Sequence, residues 1–259
     1  MSDEHGASRR YLTDFSPEKF IAVFYTPKNN ESGLDDLVID FTIKFLSQAF
    51  AEGLLKGKRI LDVGSGPCIT SAISASSHFE EIYLSDFAPQ NLEFLQKWWR
   101  GEMTYMQPII RFFIDSEHKS ESVEERNSEM RRKVKGIFPI DVLKPNPLEP
   151  STEGDFDTIT SSLCLEVAAT DFHTYVTCLQ NVTSLLKPGG YILLVGVLDQ
   201  SYYEFEGTRF KTAKLSKSEV ESAITLAGCE VVKAQYISIN NARSSDTSGV
   251  YSLIGKKNQ

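Results

Sequence analysis

Ile60-Leu61-Asp62-Val63 reads as a short apolar strand that enters the glycine turn Gly64-Ser65-Gly66-Pro67. Asp86 closes a second apolar run, Ile82-Tyr83-Leu84-Ser85, 22 residues after Gly64. Few folds use this arrangement. In an α/β sheet it builds an adenosine-binding crevice: the glycines let backbone approach the ligand, and the acid ending the next strand takes the ribose hydroxyls. A dinucleotide fingerprint would need a third glycine where Ile69 stands, so an NAD-linked oxidoreductase is disfavoured. The alternative is a plain strand-to-helix turn with glycines serving backbone geometry alone.

The surrounding pattern fits such a sheet. Strands are expected at about 58–63, 81–85, 137–142, 156–162 and 191–198, with helices near 68–77, 89–99 and 171–186 between them. Lys187-Pro188-Gly189-Gly190 reads as the stop of the last of these helices. Ser216 and Glu219 form a capping-box pattern for a helix over 216–227. Residues 230–239 and 249–256 then close the chain as an antiparallel pair. Residues 115–135 hold six acids and six bases and read as an exposed helix or loop.

Before the core, Ser16-Pro17 starts a helix over 17–25, Pro27–Gly33 is a turn, and an amphipathic helix carries Leu34, Leu37, Val38, Phe41, Phe45, Ala49 and Phe50 on one face. The expected architecture is a doubly wound, seven-stranded α/β sheet with an antiparallel C-terminal strand. It forms a single unit over 1–259, in which 1–56 is a helical cover and 57–259 the core.

At 259 residues, 41% hydrophobic and 24% charged, the composition is that of a soluble globular protein. A net charge of −8 argues against nucleic acid, whose phosphates require clustered bases. No apolar run is long enough to span a membrane, and the polar start has no signal-peptide character. Cys68, Cys164, Cys178 and Cys229 lack metal-ligand or disulfide-framework spacing, and His5, His78, His118 and His173 lack partner spacing. The expectations are a cytoplasmic monomer with no metal.

Five stretches sharpen this reading: Tyr11-Leu12 with Phe15 and Pro17; Asp62 through Pro67; Ser85-Asp86-Phe87-Ala88-Pro89-Gln90-Asn91-Leu92; Leu163-Cys164-Leu165-Glu166; and Leu185 through Gly190. Together they resemble the nicotinamide, phenylethanolamine, indolethylamine and thioether methyltransferase family, which belongs to the class I S-adenosylmethionine-dependent enzymes. The resemblance implies S-adenosylmethionine as methyl donor. It implies that Tyr25, Gly64, Ser65 and Ser162 lie by the methionine part, Asp86 and Asn91 by the ribose, and Asp141 and Val142 by the adenine. Tyr11 would close over the site. Phe20 falls where the family often has a tyrosine, and Thr70 replaces another.

The resemblance also bears on the acceptor. Glu166 matches the glutamate of the phenylethanolamine branch. Gly196 falls where the nicotinamide branch places an aspartate. Methyl transfer needs a free lone pair on nitrogen, so a protonated amine gains from a nearby carboxylate as anchor or base, whereas a pyridine does not. Glu166 is therefore the catalytic candidate. Phe20, Asp199, Gln200, Tyr203 and Asp246 are acceptor-binding candidates; the competing roles are a strand-end structural carboxylate for Glu166, a solvated surface acid for Asp199 and Asp246, and core packing for Tyr203. The expected activity is N-methylation of a small amine. Nicotinamide or another pyridine, a sulfur acceptor, and a non-catalytic donor-binding protein are the alternatives.

Overall fold

Near-continuous apolar segments favour strands covered on both faces. The run over 191–198 is such a segment, and five strands pair in parallel: β1 (Arg59–Val63), β2 (Glu81–Asp86), β3 (Val134–Pro139), β4 (Phe156–Ser162) and β5 (Leu186–Leu198). The structure, a computed structural model, describes residues 11–13, 15–26, 36–240 and 242–259. The turn over 27–33, Leu34 and His5 lie outside the described residues. β6 (Tyr202–Phe205) and β7 (Thr208–Lys211) form a separate hairpin. β8 (Cys229–Ser238) and β9 (Gly249–Lys257) complete a seven-stranded sheet of order β3-β2-β1-β4-β5-β9-β8, with β9 antiparallel to both neighbours. Strand order reverses at β1, which has β2 on one side and β4 on the other. In doubly wound sheets the ligand crevice opens at the carboxyl ends of such a pair.

Helices cover both faces. On one side α1 (Pro17–Phe24), α2 (Leu37–Ala51), α3 (Thr70–Ala75), α4 (Pro89–Trp99), α5 (Gln107–Ser116) and α6 (Val123–Lys133) form one core cluster that includes Leu46, Ile73 and Trp98 together with Leu193 and Val195 of β5. On the other, α7 (Leu165–Ala168), α8 (Phe172–Ser184) and α9 (Lys217–Leu226) bury Tyr175, Leu179 and Ile224 against Ile192 and Leu194. The alternation along β5 divides the two cores, as the two-residue period of a strand requires. Local signals set the helix starts. Ser16 Oγ accepts from Lys19 N, with Pro17 at the first helical position, and Ser216 and Glu219 complete their capping box.

Several segments differ from the sequence reading, among them the helices Gln107–Ser116 and Leu165–Ala168, which it did not include. Lys187–Gly190 does not end α8, which stops at Ser184; it opens β5 as a bulge, where the register with β4 jumps from Phe156↔Leu186 to Thr158↔Tyr191. Gly189 at φ 73° and Pro188, which has no N–H to give a ladder, suit a bulge. The charge-dense stretch 115–135 is packed on one face, not simply exposed. Arg126 is 1% exposed, ion-paired with Glu117 and Glu121 and bonded to Ile73 O at 3.2 Å, while Trp98 Nε1 donates to Asn127 Oδ1 at 3.1 Å. Its low hydropathy conceals a buried, fully paired cation. β3 accordingly begins at Val134, ahead of the expected strand. The hairpin β6–β7 has no counterpart in the sequence reading; Glu206 and Gly207, both at positive φ, make its two-residue turn.

Candidate active site

The carboxyl ends of β1, β2 and β4 open into a cavity of about 220 Å³, traced by the centre of a water-sized sphere. Its lining includes Asp62, Gly64, Ser65 and Gly66 at the end of β1, Asp86 at the end of β2, Asp141 and Val142 after β3, and Ser162, Leu163, Cys164 and Glu166 at and beyond the end of β4. Tyr11, Phe15, Phe20, Phe24 and Tyr25, the start of α2, the β6–β7 hairpin and Ser244-Ser245 supply further parts of the wall.

At the β1–β2 end the backbone is fixed by the glycine loop. Gly64 sits at φ 70°, and a Cβ there would overlap Cys164 Sγ, so both conformation and close approach require glycine. Ser65 N donates to Ser85 O at 2.8 Å, tying the loop to β2. Asp86 is 3% exposed and accepts from Gly66 N (2.7 Å), Ala88 N (2.8 Å) and Asn91 Nδ2 (3.0 Å). Burial pushes its carboxyl pKa up, while those three donors pull the other way. A carboxylate offers about four lone-pair sites, so Asp86 retains acceptor capacity for a hydroxyl-bearing ligand. Asn91 does not line the cavity; it is wholly buried behind Asp86, and the same amide donates to the Tyr11 hydroxyl at 3.2 Å. Gln90 Nε2 bonds Tyr11 O at 2.9 Å, so α4 anchors the segment that crosses the cavity.

Beyond this end lies Glu166. It stands on the short helix α7, not at a strand end, and its backbone oxygen accepts from Ala213 N at 2.7 Å. The side chain is 3% exposed, and Oε1 has no hydrogen-bond partner. Burial raises its pKa to about 7, against the lowering effect of the Glu166 and Val197 backbone N–H groups. Ser162 Oγ, also on the cavity wall, is likewise buried and unpartnered. Unpartnered buried polar atoms are uncommon, and in a cavity they are the atoms a ligand satisfies. Phe20, Tyr25, Gln200 and Tyr203 line the same space. Phe15 and Phe20 lie 5.0 Å apart between ring centres, and Tyr203 stacks on Phe210 at 5.0 Å and 16°.

Asp199 and Asp246 are not brought to the cavity. Asp199 Oδ2 accepts from Ser248 Oγ at 2.7 Å, and Asp246 Oδ1 accepts from Ser201 N at 2.8 Å, fastening the start of the hairpin. Several polar lining residues were given no role by the sequence reading, Asp62, Asp36, Ser244 and Ser245 among them. Asp62 is 6% exposed and takes a 2.7 Å bond from Thr160 Oγ1, and burial raises its pKa; its place in the strand-turn motif was the available signal. Asp36, Ser244 and Ser245 carried none, because their proximity arises only in the fold.

At Gly196 a Cβ would fall 2.6 Å from the Tyr251 hydroxyl oxygen, and that hydroxyl pairs with Tyr175 Oη at 3.0 Å. The position holds no side chain. Among the described residues no group of three His, Cys, Asp or Glu is arranged to hold a metal ion, and no helix is long and apolar enough to cross a membrane.

The NNMT/PNMT/TEMT family model matches residues 4–258. Nicotinamide N-methyltransferase of Sus scrofa is 33% identical over 250 residues, 95% of this chain and 94% of that protein. Phenylethanolamine N-methyltransferase of Mus musculus is 35% identical over 225 residues, 84% of this chain and 75% of that one. Among solved structures, the N-methyltransferase NodS of Bradyrhizobium japonicum, in complex with S-adenosylhomocysteine, superposes with a TM-score of 0.57 over all of both chains at 13% identity, a likeness of fold.

Proposed function

The chain belongs to the NNMT/PNMT/TEMT family, and from that premise we propose that it is an S-adenosylmethionine-dependent N-methyltransferase of a small-molecule amine. The observation that carries the choice of acceptor is Glu166: a buried carboxyl with an unpartnered oxygen on the wall of the cavity that Asp86 also lines.

The residues fit the donor. Asp86, held by three donors and buried in the cavity, suits a ribose diol, with Asn91 fixing its orientation. Gly64, Ser65, Tyr25 and the unpartnered Ser162 Oγ would receive the methionine part, and Asp141 and Val142 the adenine. Asp62, Asp86 and Glu166 make the interior acidic, which suits a cationic ligand. When bound, S-adenosylmethionine supplies an electrophilic methyl group on a sulfonium, open to in-line displacement.

The chain's own part is alignment, water exclusion and proton handling. Tyr11, Phe15, Phe20 and Tyr203 shield the cavity. Glu166, ionised above about pH 7, would accept a hydrogen bond from the acceptor's ammonium and take up the proton that frees its lone pair. The positive charge of such an acceptor favours the carboxylate form, offsetting the burial that disfavours it.

A second reading, pyridine methylation, rests on Gln200, which is 6% exposed and lines the cavity where a carboxamide could be recognised. The Gly196 position offers no room for an acidic side chain. The reading is proposed for a monomer. The four free cysteines suit a cytoplasmic setting. Labelled-methyl transfer assayed with 2-phenylethylamine, nicotinamide and a thioether tests the proposal. Preference for the amine is expected. Donor binding without transfer to any acceptor would favour a sensor and refute the enzymatic reading.

A further inference from the structure

Ser245, Tyr203 and Phe210 lie on one transverse line of backbone. Tyr203 pairs with Phe210 across the hairpin and with Ser245 on its other side through an isolated antiparallel bridge. Paired positions in antiparallel strands point their side chains to the same face. All three residues line the cavity, so that face is the inner one. Lys211, at the rim, occupies the alternate position on β7 and pairs with Tyr202, so its side chain belongs to the outer face.

Ser245 Oγ is buried and has no hydrogen-bond partner. Its backbone is held in place: the neighbouring Ser244 donates its hydroxyl to Asp36 Oδ2 at 2.8 Å, and Ser244 O accepts from Glu204 N at 2.6 Å. Asp36 is itself fixed by capping α2, with Oδ1 taking Val38 N at 3.0 Å and Ile39 N at 3.2 Å. The result is an unpartnered hydroxyl on a cavity-lining residue whose neighbour in the chain is anchored, beside a stacked aromatic pair. A site built to hydrogen-bond one substrate group rejects analogues that lack it, because the protein's polar atom is then left unpaired.

We infer that Ser245 is a specificity-determining contact for the acceptor, and that the preferred acceptor is an aromatic amine whose ring, lying by Tyr203, carries a hydroxyl that bonds Ser245 Oγ. The inference rests on the amine-methyltransferase reading and adds the polar group that reading leaves open. The probes are tyramine and 2-phenylethylamine, which differ only in the ring hydroxyl. The readout is their ratio of kcat/KM in the wild type, in Ser245→Ala and in Ser245→Thr. The wild type is expected to favour tyramine by about ten-fold. Ser245→Ala should bring the ratio close to one, and Ser245→Thr should restore part of it. The thermal shift given by S-adenosylhomocysteine should be the same in all three proteins, which separates this role from a folding defect. A wild-type ratio near one, or a ratio that survives Ser245→Ala, would overturn the inference while leaving the methyltransferase reading intact. Failure of the wild type to methylate either amine would remove that reading, and this inference with it.

Discussion

Asn91 holds Asp86: the side-chain amide nitrogen lies 3.0 Å from Asp86 Oδ1, in a position with no solvent exposure. The same nitrogen reaches the Tyr11 hydroxyl at 3.2 Å, so one buried amide joins the acid at the end of β2 to the segment that crosses the cavity. Truncating it leaves a buried carboxylate short of a donor, a change that costs about 1–3 kcal/mol. Asn91→Ala should therefore weaken S-adenosylhomocysteine binding by roughly ten-fold or more. Calorimetric titration checks this; unchanged affinity would contradict it.

Glu166 gives a pH dependence with a defined sign. Burial raises its pKa from the ordinary 4.5 to about 7, so the folded protein holds the proton more tightly than the unfolded chain. The stability this confers is complete below pH 4.5 and is lost as pH rises to about 7. At pH 8 the ligand-free Glu166→Gln variant should be the more stable protein, by at most about 3 kcal/mol. Below pH 4.5 the two should converge. Urea unfolding at both pH values measures it.

The same group should shape catalysis. The kcat/KM for an alkylamine should include a rise through pH about 7 as Glu166 ionises, and Glu166→Gln should remove that limb and lower activity by on the order of 10²-fold. Transfer to nicotinamide, whose ring nitrogen carries a free lone pair at neutral pH, should be much less affected. Equal losses for the two acceptors would refute the anchor-and-base role.

Gly196 cannot be converted simply. Gly196→Asp would drive a side chain into the Tyr251 phenol and bury a charge beside the Tyr175–Tyr251 pair. Overpacking together with a buried unpaired carboxylate should cost about 3 kcal/mol or more. A marked fall in Tm is expected, with no gain of nicotinamide turnover. A stable variant that methylates nicotinamide faster would show that Tyr251 yields at this position.

Asp36 couples distant parts of the chain, since its carboxylate caps α2 and receives the hydroxyl of Ser244, 208 residues away. Asp36→Ala should lower stability by about 1–2 kcal/mol through loss of the cap. The tyramine preference should fall with it as Ser244 loses its partner. Chemical denaturation and the two-amine ratio test the two effects separately.

These contacts also show where legibility in the sequence ends. Parallel strands buried on both faces favour apolar runs, so Ile60-Leu61, Ile82-Tyr83-Leu84 and residues 191–198 stand out, together with the acid at the end of β2. Arg126 hides a packed helix because its burial depends on two carboxylates that hydropathy scores as solvent-facing. Lys187–Gly190 carries the residues of a helix stop and of a strand bulge alike, and only pairing with β4 decides between them. Asp199 and Asp246 have the right charge for an amine site, yet bonds from Ser248 and Ser201 hold them to the hairpin and its flanking loop. Ser245 and Asp36 left no local trace, because their setting is made by chain segments far apart in sequence.

A crystal structure with S-adenosylhomocysteine tests most directly whether this cavity is a methyl-donor site. The ribose hydroxyls should bond the Asp86 carboxylate, the adenine should rest beside Asp141 and Val142, and the sulfur should point toward the chamber bounded by Glu166 and Tyr203. A nucleoside bound elsewhere, or a cavity that stays closed at saturating ligand, would contradict it.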